Sequence, residues 1–223
     1  MAEIAPTFRG LVTRFTDFFT VTIHTILYER GIYPSTSFLS ARKFNFSVRQ
    51  NRHPKVCEWI NDAVTAVESE LLKGTVERVA VVIFDKSNQP RERFVFEVSH
   101  FPVIPFSELD TPLDRTGPDG EKIPVMPSVD MEEQFRATLS KISNCKASLK
   151  ALPKGCSFTI AIELKSEGGA PIAHPQPWIP VQPNLRGEDN SSIRSTKPLR
   201  AVSAGDMTFE CWIEESRQNY DDT

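Results

Sequence analysis

Four histidines and four cysteines are the side chains best suited to catalysis or metal binding in this chain, and their spacing favours neither. His24 falls in the middle of a helical pattern and His53 at the start of another. His100 follows a strand-like run, and His174 lies in a polar stretch. Cys57, Cys145, Cys156 and Cys211 are far apart. There is no Cys-x-x-Cys pair and no His-x-x-x-His pair, the short spacings that zinc sites use. Cys156 with His174 is the sharpest nucleophile-and-base pairing on offer. Yet Cys156 sits on the apolar side of an alternating run and reads first as a small hydrophobe, and no local feature lowers its thiol pKa or orients a base. Neither a Gly-x-x-x-x-Gly-Lys phosphate loop nor a dinucleotide fingerprint is present. Asp85, Glu92 and Glu97 flank strands, where carboxylates are common. The expectation is a protein without a catalytic centre, a metal or a cofactor.

Its tryptophans point to binding instead. In Met207-Thr-Phe-Glu-Cys-Trp-Ile-Glu214, alternation puts Met207, Phe209, Cys211 and Ile213 on a core face. Thr208, Glu210, Trp212 and Glu214 fall on the other, which reads as solvent. A large aromatic among polar neighbours marks a contact surface. Trp59 lies about a quarter-turn from the centre of a helical stripe, at the shoulder of the buried face. It is either a boundary residue over the core or one wall of a peptide groove. Trp178, in Gln176-Pro-Trp-Ile-Pro180, cannot belong to a regular ladder, so it anchors its loop or touches a ligand. Arg136 points roughly 120° from the Ile142 side of its helix. It is expected to be exposed, as a solvated arginine or an interface anchor.

The elements that must position these residues follow from periodicity. Phe8, Leu11, Val12, Phe15, Phe18, Phe19, Ile23, Ile26 and Leu27 recur at helical spacing, and Gly31 and Pro34 stop that helix. Residues 35–52 read as extended or loop. A second helix starts at His53-Pro54, carries the stripe Val56, Ile60, Ala63, Val64, Val67 and Leu71, and ends at Gly74. Val79–Phe84 is a continuous apolar run, expected as a strand buried on both faces. A turn at 85–90 leads to an antiparallel partner at 94–98. Residues 102–128, proline-rich and without period, read as a surface loop. A third helix carries Met131, Phe135, Leu139, Ile142, Cys145, Leu149 and Leu152, ending at Pro153. A strand over 156–164 has one covered face. A polar stretch runs from 165 to 197, and two short strands near 199–202 and 207–214 complete an α+β layer.

At 223 residues, 39% hydrophobic and 25% charged, the chain fits one globular domain. Its net charge of −3 argues against bare duplex DNA as the main ligand. Arg42, Lys43, Arg49 and Arg52 cluster locally, either as solvated charge or as a partner contact. No apolar run reaches the roughly 20 residues of a membrane helix. No secretory pattern is present, and unpaired cysteines suit a reducing compartment.

Several stretches resemble HORMA domains: Ile26-Leu-Tyr-Glu-Arg-Gly-Ile-Tyr-Pro34, His53-Pro-Lys-Val-Cys-Glu-Trp-Ile60, Val79-Ala-Val-Val-Ile-Phe-Asp-Lys86, Arg93-Phe-Val-Phe-Glu97, Phe135-Arg-Ala-Thr-Leu-Ser-Lys-Ile-Ser143 and Gly155-Cys-Ser-Phe-Thr159. Within that family the chain is most similar to the accessory subunits of translesion DNA polymerase zeta. The resemblance covers about residues 8–216. It implies one HORMA domain, with a core over about 8–164, a C-terminal safety belt over about 165–216, and a flexible tail at 217–223. Three helices would pack on a mainly antiparallel sheet. The belt would wrap a proline-rich peptide of the polymerase's catalytic subunit, touched by Trp59 and Trp178. Arg136 matches a HORMA–HORMA dimer surface. Thr196, Glu210 and Trp212 match a surface that binds the C-terminal domain of the scaffold polymerase, which inserts deoxycytidine. The family pattern there is leucine, glutamine and tyrosine, so the contact implies a co-adapted partner. The resemblance also implies a nuclear protein, shared in part with the cytoplasm, and an ATP-driven remodeller. A mitotic-checkpoint or meiotic-chromosome HORMA protein, clamping a different peptide, is the alternative.

Overall fold

A computed structural model describes residues 7–116, 122–124, 128–165, 193–204 and 207–216. The expected tail and most of the expected belt, including Trp178 and His174, lie outside the described residues. Helix α1 spans Phe8–Glu29, capped by Thr7, whose hydroxyl accepts the Gly10 N–H at 3.1 Å. The predicted phenylalanine face is its buried face. Gly31, at φ 64°, turns the chain out of the helix in a conformation few other residues adopt. Strands β1 (Phe38–Lys43) and β2 (Phe46–Asn51) follow, then α2 (Pro54–Leu72), β3 (Val76–Phe84) and β4 (Pro90–Glu97). Two short strands, β5 (Asp114–Thr116) and β6 (Lys122–Pro124), pair before α3 (Ser128–Ser143). β7 (Ser157–Leu164), β8 (Ile193–Ala204) and β9 (Met207–Ser216) complete the order.

One antiparallel sheet of five strands, in the order β7-β3-β4-β9-β8, carries the domain. The three helices share a core with one face of it. Phe18 of α1 stacks on Phe135 of α3, centroids 4.4 Å apart, and Phe19 meets Phe96 of β4 edge-on at 5.3 Å. Val79, Val81 and Ile83 join that core, while Ala80 and Val82 are buried on the opposite face. The strand buried on both sides is therefore where its unbroken apolar run placed it.

One open expectation resolves and three change. Residues 35–52, read as extended or loop, are mostly extended: β1 and β2 form a hairpin around Phe44 and Asn45, both at positive φ (52° and 54°). A turn of that shape is usually announced by Asn-Gly. Here Phe44 is held by its ring against Phe135, at 5.3 Å. Residues 102–128 are not simply a surface loop. Leu109 is fully buried, its carbonyl accepts the Arg9 N–H at 3.0 Å, and Pro112 bridges to Thr7. That loop braces the start of α1. The third helix stops at Ser143, and Cys145–Ser148 continue as a 3₁₀ turn, so the apolar spacing outlasts the helix. Finally, β8 begins at Ile193, well before Leu199, because pairing with β9 orders a polar stretch with no apolar period of its own.

Candidate functional site

The sheet has two outer strands: β8, which ends the C-terminal hairpin docked on β4, and β7, which pairs with β3. Among the described residues each has one row of backbone N–H and C=O groups without a neighbouring strand, the template on which an extended peptide can add a strand. The chain leaves the sheet at one edge, after Lys165 donates its N–H to the Thr75 carbonyl at 2.8 Å, and re-enters at the other edge with Ile193.

Aromatic side chains flank the β7 edge. Trp59 is half-buried at the shoulder of α2, as its helical angle predicted. Its ring meets Phe158 of β7 edge-on, centroids 5.1 Å apart and planes at 81°. Tyr33 approaches the same phenylalanine at 6.4 Å, and burial pushes its phenol pKa up. Sequence reasoning took Phe158 as core and passed over Tyr33. Alternation shows which face a residue is on, not which strand is outermost, so no sequence signal distinguished Phe158.

Thr196, Glu210 and Trp212 come together on the outer face of the C-terminal hairpin. Thr196 lies opposite Glu214, Pro198 opposite Trp212, and Ala201 opposite Glu210. A bulge between Pro198 and Arg200 keeps that facing consistent along β8. Thr196 and Glu210 are exposed. Trp212 departs from the solvent-face expectation. It is half-buried against Ala80, Val82, Val95 and Ala161, and its Nε1–H donates to Glu214 Oε1 at 2.8 Å. The outer face carries a second, small apolar cluster beneath a lattice of charge. Arg78 reaches Glu97 at 2.6 Å and Glu163 at 3.0 Å, and Arg93 pairs with Glu163 and with Glu214 at 3.1 Å. Arg136, expected to be exposed, keeps 36% of its side chain in solvent and pairs with Glu133 at 3.4 Å. It lies one residue from Phe135, on which the tip of the β1–β2 hairpin rests.

The C-terminal hairpin is fixed from the core side by ions. Glu215, buried at the end of β9, accepts the Lys150 N–H at 3.0 Å and the Ser195 hydroxyl at 3.0 Å, and pairs with Lys197 at 2.6 Å. Next to it Arg30 clasps Glu92 through two bonds of 2.8 and 2.6 Å. Both side chains are 3% exposed.

The thiols are poorly placed for nucleophilic work. Burial pushes Cys145 and Cys211 up to about 12. It also raises Cys156, whose Sγ–H donates to the Pro153 carbonyl at 3.3 Å. Among the described residues no group of three His, Cys, Asp or Glu side chains converges as metal ligands, and no helix is long and apolar enough to cross a membrane.

Comparison with known proteins agrees with this architecture. The HORMA domain family model matches residues 12–198. The chain is 32% identical to the DNA polymerase zeta processivity subunit of Schizosaccharomyces pombe, over 90% of this chain and 91% of that protein. It is 30% identical to the human mitotic spindle assembly checkpoint protein MAD2B, over 89% of this chain and 88% of that protein. Among solved structures, a chain from the mitotic checkpoint complex superposes with a TM-score of 0.71 at 20% identity, covering 94% of this chain and all of that one.

Proposed function

Because the chain belongs to the HORMA domain family, we propose that it is a non-catalytic adaptor subunit of translesion DNA polymerase zeta. In this reading it clamps a proline-rich peptide of the catalytic subunit against the β7 edge. The observation that carries it is an aromatic edge: among the described residues β7 is an outer strand, and Trp59 and Tyr33 pack on its Phe158. An added strand gains backbone hydrogen bonds there, and its side chains reach an aromatic shoulder. The belt expected over about 165–216, with Trp178 within it, would trap the peptide topologically and slow its release beyond what buried area alone gives.

The relatives named for polymerase zeta support this choice of partner. Thr196, Glu210 and the half-buried Trp212, gathered on one face of the C-terminal hairpin, are the surface for the scaffold polymerase's C-terminal domain. Arg136 belongs to a HORMA–HORMA contact, an ATP-driven remodeller opens the belt, and the protein works in the nucleus. A second reading, a checkpoint HORMA protein, draws on the relatives whose names place them in spindle assembly. Affinity capture of the full chain, followed by mass spectrometry, separates the two. Recovery of the polymerase catalytic subunit supports the first, and a checkpoint activator recovered without any polymerase subunit refutes it.

A further inference from the structure

The β1–β2 hairpin concentrates positive charge on a chain that is acidic overall. From Arg30 to Cys57 the sequence holds no Asp or Glu, in a protein of net charge −3. Arg42, Lys43, Arg49, Arg52 and Lys55 all lie on the hairpin or just beyond it, and all are exposed. Among the described residues Lys43 is the one of these five with a carboxylate partner, Asp17 at 2.7 Å. Arg42 is oriented by the Asn45 amide oxygen, and Arg49 by the Ser40 hydroxyl at 2.6 Å and the face of Tyr28 at 5.0 Å. These contacts hold the guanidinium groups in place without neutralising them. Burial raises the pKa of the Glu29 carboxyl, and Arg49 is near enough to it to pull that pKa down.

From this charge and its spacing, we infer that the hairpin is a docking surface for the phosphate backbone of duplex nucleic acid. Ser40 lies opposite Arg49 and Ser47 opposite Arg42, so the two arginines are diagonal neighbours on one face, about 7–8 Å apart at the backbone. Serine hydroxyls between the arginines add neutral donors of the kind that contact phosphate. Three of the five cations are arginines, whose planar fork suits phosphate oxygens.

The exposed residues of the hairpin decide between possible anions. Leu39, Ser40, Asn45, Ser47 and Gln50 accompany the cations, while Phe38, Phe44 and Phe46 are turned at least partly inward. No aromatic platform is offered for splayed bases, as single-strand recognition requires. Nor is there a cluster of buried anchors of the kind that holds an acidic protein. The contact is sequence-independent and micromolar in strength, the usual range for such binding. It supplements a peptide clamp and does not depend on which peptide is clamped.

Fluorescence anisotropy of the full chain with a labelled 30-base-pair duplex, at 50 and 200 mM salt, tests this. Four phosphate contacts, from Arg42, Arg49, Arg52 and Lys55, give a log–log salt slope of about −3.6, a loss of roughly 150-fold across that range. Replacing Arg42, Arg49 and Arg52 with glutamine brings the slope to about −0.9 and weakens binding at least tenfold at 50 mM. Replacing the same three with lysine keeps the slope, which separates charge from misfolding. A glutamine variant within twofold of the parent overturns the inference. So does a 30-nucleotide single strand that binds as tightly as the duplex, or a polyglutamate peptide that competes as well as duplex of equal charge. A change in oligomer mass in the glutamine variant, with duplex binding intact, assigns the hairpin to self-association and overturns it too.

Discussion

Replacing Glu92 with glutamine isolates what the buried ion pair does. Arg30, just past the end of α1, and Glu92 of β4 are both 3% exposed and joined by bonds of 2.8 and 2.6 Å. Arg30 also donates to the Lys150 carbonyl at 2.5 Å. Burial, with help from the Glu215 charge, pushes the Glu92 carboxyl above its ordinary range, against the pull of Arg30. The pair is therefore strained electrostatically even when complete. The amide keeps the shape and one acceptor oxygen but leaves the guanidinium charge uncompensated in the interior. Breaking one side of such a pair costs about 3–5 kcal/mol. For a domain of this size each kcal/mol moves Tm by about 2–4 °C, so the variant melts roughly 6–20 °C lower. Urea unfolding followed by circular dichroism gives the free energy, with an unchanged m value showing that the same surface is exposed. The control is the double variant Arg30→Met with Glu92→Leu. It removes both charges and gives up only the hydrogen bond to Lys150, so it recovers to within about 1–2 kcal/mol of the parent. A glutamine variant within about 1 kcal/mol of the parent refutes the reasoning, as does a double variant no more stable than the single one.

Other predictions follow from the same geometry. Trp59→Ala loses the edge contact with Phe158 and weakens binding of the proline-rich clamp peptide at least tenfold in calorimetry, while the circular dichroism spectrum stays that of the parent. Arg136→Ala shifts the oligomer toward monomer in light scattering and leaves peptide affinity within twofold. His24 is buried beside the Asn51 N–H, which it accepts at Nδ1 at 3.3 Å, and burial lowers its pKa to about 4. Its folded pKa lies below the unfolded value of about 6.5. The stability that its neutral form contributes is thus complete above pH 6.5 and is lost as pH falls toward 4, a loss of about 3 kcal/mol. In a His24→Gln variant the slope of unfolding free energy against pH over that window falls by one proton. Cys145 and Cys211, with pKa values near 12, stay unreactive toward a disulfide reagent until the chain unfolds.

Much of the fold was legible because it rests on periodicity. The α1 face from Phe8 to Leu27, the stripe of α2 and the doubly buried β3 all obey local rules of spacing. Trp59 was placed by angle alone. The β1–β2 hairpin was not legible, since its turn is Phe44-Asn45 and its stability comes from Phe135, far along the chain. Leu109 was hidden in a proline-rich stretch, where one buried apolar residue leaves no period. Trp212 was assigned to solvent because alternation treats every polar-flanked face as wet. In fact that face bears Ala80, Val82, Val95 and Ala161 from three neighbouring strands.

By itself the sequence determined the helices, the central strands, the absence of local catalytic motifs and, through its resemblance, the family. These depend on residues within a few turns of each other, where hydrophobic spacing acts directly. Only the tertiary structure decided that the C-terminal hairpin docks on β4 and that β7 is an outer strand, with Phe158 beside Trp59. Strand order is a competition between edges for long-range hydrogen bonds. Each edge offers the same backbone donors and acceptors, so the outcome rests on which side chains meet across the whole domain.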